Sequence, residues 1–413
     1  MGDLLFAAFG AEAHRPEVPE PEANPRAAEA LRLWWLLWSG CPGIGWQRLQ
    51  ALQRAYGSLE RAWAAPRMEL QARLALGSSA SERIEAYRQR WGDTPIPSSI
   101  DGPTRRRLAQ RRTLVPPDVG FPEAARNLER PPLRLHWQGN GSLWRPLRRR
   151  EAIAVVGTRR PSPHGLSMAR ALGAALAEAG WPVVSGLAEG IDAAVHQGCL
   201  ERGGRPVAVL GTHLGRVYPR HHSVLQAEVA RAGMLVSEQE PGATVRPGHF
   251  AQRNRLQVAL AQALVVVECP VNSGALHSAE LAWSESLPLW VVPADAGKQS
   301  ALGSNRLLAS GATVLLDPAD LIRSLGPGPL ARRVPSARLA QPAKDRQASD
   351  GPDGNAAEVP EAGGLLEALG AGASLEQLCS RLGQGPSQVT RGLLGLELTG
   401  QIRAEPGLWW RPC

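Results

Sequence analysis

Residues 183–198 read VVSGLAEGIDAAVHQG. An apolar, β-branched run enters Ser185-Gly186, a short loop carries Gly190, and an amphipathic segment with Asp192 and His196 follows. This is the pattern of a strand turning directly into a helix. Glycines at such a turn let backbone N–H groups at the helix start approach an anion. A cofactor, a substrate or the backbone of a nucleic acid would each supply one.

The same alternation extends in both directions. From about residue 151 to 325, apolar runs recur at AIAVVG, WPVVSG, RPVAVLG, GMLVSE, ALVVVEC, LPLWVVP and ATVLLD, with amphipathic stretches such as GLSMARALGAALAEAG between them. Continuous β-branched runs separated by helices predict a parallel sheet covered on both faces. The fold class is therefore α/β, a doubly wound, Rossmann-like sheet. Ligands of such sheets bind beyond the C-terminal ends of the strands. Those ends are Gly157-Thr158-Arg159-Arg160, Ser185-Gly186, 211–220, Ser237-Glu238, 269–274 and Pro293 onward.

The flanks differ in character. Residues 1–26 are acidic and proline-rich and read as a disordered leader. They have neither the basic start nor the long apolar core of a signal peptide, so a cytoplasmic protein is expected. Residues 27–115 read as helices around a Pro42-Gly43-Ile44-Gly45 turn, an outline like a SAM or helix–hairpin–helix domain. That turn could offer amides to a phosphate, or it could simply be the glycine that a tight helix–helix turn needs. Residues 116–150 read as a basic connector. Residues 326–362 read as a disordered linker, rich in proline and glycine. Residues 363–413 show three helical segments and a hairpin, the outline of a winged helix.

The formal net charge is +8, and Lys298 and Lys344 are the only lysines. An arginine-based positive charge suits phosphate recognition and points weakly to an anionic partner. The five cysteines are scattered without CxxC spacing, so neither a zinc site nor a disulfide framework is expected. No run approaches the roughly 20 apolar residues of a membrane span.

Enzyme motifs fail one by one. After AIAVVG comes TRRPSPHG, without the second and third glycines of a dinucleotide fingerprint, and no ribose-binding acid follows the second strand. No Walker A sequence occurs. Asp192 and His196, four apart on one helix, could be an acid–base pair, half a metal site or a local ion pair. Ser185 and Ser273 precede glycines, but neither lies in GxSxG. No catalytic residue, cofactor or metal is expected. Arg159 and Arg160 follow the first strand, and Arg253 and Arg255 are expected at the start of a helix, where they would oppose the macrodipole unless an anion lay between them. Tyr218-Pro219-Arg220 and Phe250 place aromatics beside cations, a pairing that stacks on unpaired bases.

Taken in order, VVGTRRPSPHG, SGLAEGIDAAVHQGCL, VAVLGTHLGRVYPRHHSVL, LVSEQEPG, HFAQRNRLQVALAQALVVVEC, NSGALHSAELA and GSNRLLASGA resemble the DNA processing protein A (DprA, or Smf) family over about 150–320. The N-terminal helices and the terminal unit resemble its other domains. The resemblance implies a non-enzymatic protein that binds and protects single-stranded DNA and loads the recombinase RecA during natural transformation. It also implies a homodimer formed through the Rossmann-like domain. By motif it assigns DNA contact to Arg159, to the loop Ser185–Asp192 with Gly186, Gly190 and Ile191, to Arg220, and to Arg253-Asn254-Arg255. Tyr218, Phe250, Ser273 and Gly274 complete the expected set. Thr158 and Ser278 replace a usual serine and threonine, and Ala294 stands where a Pro-Gly is common. An alternative is a nucleoside-monophosphate phosphoribohydrolase-like enzyme. Its glycine-rich loop would fall at VNSGALHSAE, which holds one glycine and Glu280.

Overall fold

The structure is a computed structural model that describes residues 25–92, 112–331, 362–405 and 409–412. The expected leader, apart from residues 25 and 26, lies outside the described residues, as does most of the expected linker. The chain divides into two compact units, 1–334 and 335–413.

The first unit is built on a nine-stranded sheet of order β1-β2-β6-β5-β4-β3-β7-β8-β9. The seven expected apolar runs form β3 (Ile153–Val156), β4 (Val183–Ser185), β5 (Pro206–Leu210), β6 (Met234–Ser237), β7 (Ala263–Val266), β8 (Leu289–Val291) and β9 (Thr313–Val314). All seven are parallel. Alternate residues face opposite layers, since successive side chains of a strand point to opposite sides. Ala154, Val156, Val207, Val209, Leu264 and Val266 enter one buried cluster. Ile153, Val155, Val183, Ala263 and Val265 enter the other. Both faces are therefore dry, which is why these strands read as unbroken apolar runs. The chain lays down β3 to β6 in one direction and then crosses back to place β7 on the other side of β3. The β3–β7 boundary is the topological switch point, where such sheets bind ligands.

The segment 116–150 does more than connect. Within it β2 (Leu135–Gly139) pairs antiparallel with β6, and β1 (Thr113–Leu114), just before the segment, pairs with β2, so the sheet gains two strands, one of them from the segment. An antiparallel strand whose burial falls off toward its end, from Leu135 and His136 to the exposed Gln138, lacks the continuous apolar signature of the others. Its flanking prolines also imitate a linker.

The N-terminal region is helical as expected, with helices at Pro25–Ser39, Trp46–Tyr56, Leu59–Ala64, Arg67–Arg73 and Ser78–Gln89. Their core is rich in tryptophan: Trp34, Trp35, Trp38 and Trp63 are buried together. The Trp38 indole donates to Leu59 O at 2.9 Å, and the Trp35 indole donates to Leu133 O at 2.9 Å. Arg32 pairs with Asp118 at 2.9 Å. These contacts fasten the helices to the β1–β2 segment.

The second unit has helices Ala362–Leu369, Leu375–Leu382 and Pro386–Leu398, and a three-stranded sheet of order β10-β12-β11 (Ala373–Ser374, Trp409–Pro412, Ile402–Glu405). Leu365, Leu369, Leu378, Val389, Leu393 and Trp410 form its core. Three helices and a hairpin were expected here, and β10 is an addition. Among the described residues, no helix is long and apolar enough to cross a membrane.

Candidate nucleic-acid interface

At the switch point a cavity of about 400 Å³ opens beyond the strand ends. Its wall is drawn from the loop after β3, the middle of the Pro247–Ala259 helix and the start of the Gly274–Ser284 helix. The expected site residues fall into three groups around it.

The first group forms an exposed rim. Tyr218, 44% exposed, packs its ring on Phe250 with centroids 4.9 Å apart, and the Arg159 guanidinium lies over the same Phe250 ring at 5.6 Å. Phe250 is seated against Gly211, where an added Cβ would come within 2.6 Å of its ring. Two loops and one helix, distant in sequence, thus build one aromatic–cationic surface. Arg220 is exposed in the short turn that follows Tyr218. Ser273 caps the Gly274–Ser284 helix by accepting from Ala275 N at 3.0 Å, and Gly274 is exposed beside it.

The second group lies beneath the cavity floor, and here the expected roles need correction. The Ser185 hydroxyl is buried and donates to Val155 O at 2.7 Å, tying β4 to β3, so it is not available to a phosphate. Gly186 N donates to the Asp192 carboxylate at 3.1 Å. The anion bound by the Ser-Gly loop is therefore the chain's own Asp192. Gly190 takes a φ of +79° and lies so close to the loop after β3 that a Cβ would sit 2.4 Å from Thr158 O. Ile191 is fully buried, and its N–H donates to Thr158 O. These residues shape the floor from inside.

Arg253 belongs with them. It lies in the middle of the Pro247–Ala259 helix, not at its start, so the macrodipole argument does not apply to it or to Arg255. It is 6% exposed, donates to Val209 O at 2.8 Å and reaches Asp192 at 3.4 Å. Burial pulls its pKa down, with Asp192 opposing that and nearby Arg159 adding to it. Gln257, one helical turn further on, meets both Gly186 N (2.8 Å) and Arg253 Nη1 (3.1 Å) when its amide oxygen is turned toward them. Sequence reasoning missed Gln257, although its i,i+4 spacing from Arg253 was a usable signal. Asn254 donates to Gly274 O at 3.1 Å and so holds the Gly274–Ser284 helix in place.

Arg255 forms the third group alone. It pairs with Glu238 at 2.6 Å and does not line the cavity. Burial raises the Glu238 pKa, with Arg255 pulling against it.

His196 is neither a base nor an ion-pair partner of Asp192. It is fully buried, and neither ring nitrogen has a hydrogen-bond partner. Burial, with Arg253 and His222 nearby, drives its pKa down to about 3, so it is neutral at pH 7. Glu280, the acid of the enzyme alternative, is exposed beside His277 and outside the cavity. A further buried acid near this region is Glu268, which accepts from the Ser162 hydroxyl (2.7 Å) and the Ser300 hydroxyl (2.6 Å). Burial alone would raise its pKa. The hydrogen bonds from Ser300 and Ser162, with Lys298 close by, outweigh that and hold it below the ordinary carboxylate range.

The family model for DNA recombination-mediator protein A matches residues 112–326, just over half of the chain. The chain belongs to the DNA recombination-mediator protein A family. A second model of this family, the DprA winged helix domain, matches residues 347–407 and so identifies the terminal unit. Protein Smf of Synechocystis sp. is 30% identical over 400 residues, covering 92% of this chain and 98% of that one. Protein Smf of Escherichia coli is 32% identical over 257 residues, covering 62% and 66%. The X-ray structure of DNA processing protein A from Streptococcus pneumoniae superposes with a TM-score of 0.56 at 23% identity, covering 70% of this chain and 96% of that one. That last likeness bears on the fold.

Proposed function

We propose that this protein binds single-stranded DNA on the Tyr218–Phe250–Arg159 rim and acts as a DNA-binding mediator with no catalytic step of its own. The observation that carries the reading is the exposed Tyr218 ring packed on a half-buried Phe250 with a guanidinium over it, set beside a cavity at the switch point. Bases stack on such surfaces whatever their identity, at about 1–3 kcal/mol per base. In a duplex the base faces are already stacked on each other, so the rim favours single strands. Arg159, Arg160 and Arg220 are exposed for the backbone. Arg253 and Asp192 act as positioning residues that hold the floor.

Protection of the bound strand, its transfer to RecA and a homodimer through the Rossmann-like domain extend this reading on the strength of the family resemblance. A cytoplasmic location goes with them. The first test is fluorescence anisotropy of labelled oligo-dT against a duplex of equal length. Phe250→Ala is expected to weaken single-strand binding by about 5- to 150-fold, the equivalent of one lost stacking contact. Arg159→Ala is expected to flatten the log–log salt dependence by about 0.7. Equal binding of both nucleic acids, with both variants behaving as wild type, would refute the proposal. RecA loading is read separately, as recombinase filament formation on oligo-dT precoated with a single-strand-binding protein.

A further inference from the structure

A second and larger groove, of about 990 Å³, lies on the other side of the Pro247–Ala259 helix. One wall is the turn Gly43–Gly45 with the start of the Trp46–Tyr56 helix, and the other is the segment after β6 with His249 and Gln252. Consecutive residues of one helix therefore face two sites. His249 and Gln252 line the groove, while Phe250 and Arg253 line the switch-point cavity. A strand crossing the first turns of this helix passes from one to the other.

The groove carries excess positive charge. Arg48, Arg54 and Arg130 line it, and none of them is in an ion pair among the described residues. Among the described residues, Arg48 donates to Gly43 O and Arg54 to the Gln50 amide oxygen, and neither meets a carboxylate. Two of the three nearby acids are already neutralised, Glu238 by Arg255 and Glu240 by Arg134, which leaves Glu129. No side chain caps the Trp46–Tyr56 helix, and the turn before it is glycine on both sides of Ile44. Three guanidinium groups and an uncapped helix start, opposed by one carboxylate, suit a phosphodiester backbone.

We infer that this groove is a second stretch of the same binding path, in which the N-terminal helices hold the phosphates of a single strand whose bases stack on the rim. The inference rests on the single-strand reading given above. It assigns the Gly43–Gly45 turn a contact with nucleic acid, whereas the rim alone would make those helices a structural appendage.

The test uses the full chain and two lengths of oligo-dT: about six nucleotides, enough for the rim, and about thirty, enough for both sites. The variants are Arg48→Ala/Arg54→Ala/Arg130→Ala together and, as a charge-keeping control, Arg54→Lys/Arg130→Lys. Arg54 and Arg130 are exposed, and circular dichroism checks the fold of each variant. The triple variant is expected to bind the long oligonucleotide about tenfold more weakly, with a salt slope shallower by about 2, and to bind the short one as wild type does. The lysine control is expected to retain most of the affinity. Unchanged binding of the long oligonucleotide, or equal loss at both lengths, would overturn the groove while leaving the rim intact. Failure of the wild type to bind either length would instead overturn the single-strand reading itself.

Discussion

Replacing His196 by leucine should remove an acid-sensitive weakness from the fold. The imidazole is fully buried without partners and stays neutral down to about pH 3, against an ordinary value of 6.5. Its folded pKa is depressed, so between these two values the unfolded chain binds a proton that the folded chain refuses. Stability then rises with pH inside that window and is lost as pH falls from 6.5 toward 3. The full difference is about 5 kcal/mol at 1.36 kcal/mol per pKa unit. Only part of this is reached at moderate acidity: from pH 7 to pH 5 the loss is about 2 kcal/mol. The side chains facing His196 include Arg253, which stays charged throughout, and His222, whose ring lies against Leu187 O. Urea unfolding of wild type and His196→Leu at pH 7 and pH 5 reads the effect. The wild type should lose about 2 kcal/mol more than the variant, with equal m-values. Parallel losses in the two proteins would refute the reasoning, as would a His196 resonance that titrates near pH 6.

Three further changes probe the floor and the helical region. In Gly186→Ala the new Cβ would stand 1.4 Å from Arg253 Nη1, so the guanidinium must leave Val209 O and Asp192; thermal melting should show a loss of about 2–4 kcal/mol. Arg253→Ala strands the buried Asp192 carboxylate and should cost about 3–5 kcal/mol in urea, whereas the pair Asp192→Asn/Arg253→Met should recover part of that; a double variant no better than the single would show that the ion pair is not the cause. Trp38→Phe leaves Leu59 O without its indole donor in a sealed core and should cost about 1–3 kcal/mol by the same assay.

The parallel sheet was legible because strands buried on both faces announce themselves as unbroken apolar runs; β3 to β7 are buried throughout, whereas β9 is exposed at both residues and stood out by its apolar run alone. The same rule hid β2. Leu135 and His136 are buried, but Gln138 is exposed and prolines precede the strand, so a strand between β1 and β6 read as a connector. The rim was partly legible: aromatic residues close to basic ones marked Arg159, Tyr218 and Phe250, but the stacking of two loops and a helix on one another is a product of topology. The floor was misread for a reason intrinsic to sequence. A glycine loop beside an acid and an arginine looks the same whether its anion comes from outside or from the chain, and only the 3.1 Å contact from Gly186 N to Asp192 tells the two apart.

That internal carboxylate has a consequence for selectivity in a cell full of nucleotides and free phosphate. Enzymes of this architecture grip one phosphate group in the loop after a strand, and any mononucleotide can compete for such a grip. Here the loop is already occupied by a tethered anion that no solute can outbid. What remains outside is a set of shallow contacts, each weak alone and effective only when one polymer engages several together. On the single-strand reading proposed above, length of chain, rather than identity of the phosphate, becomes the property by which the protein tells its partner from the metabolite pool.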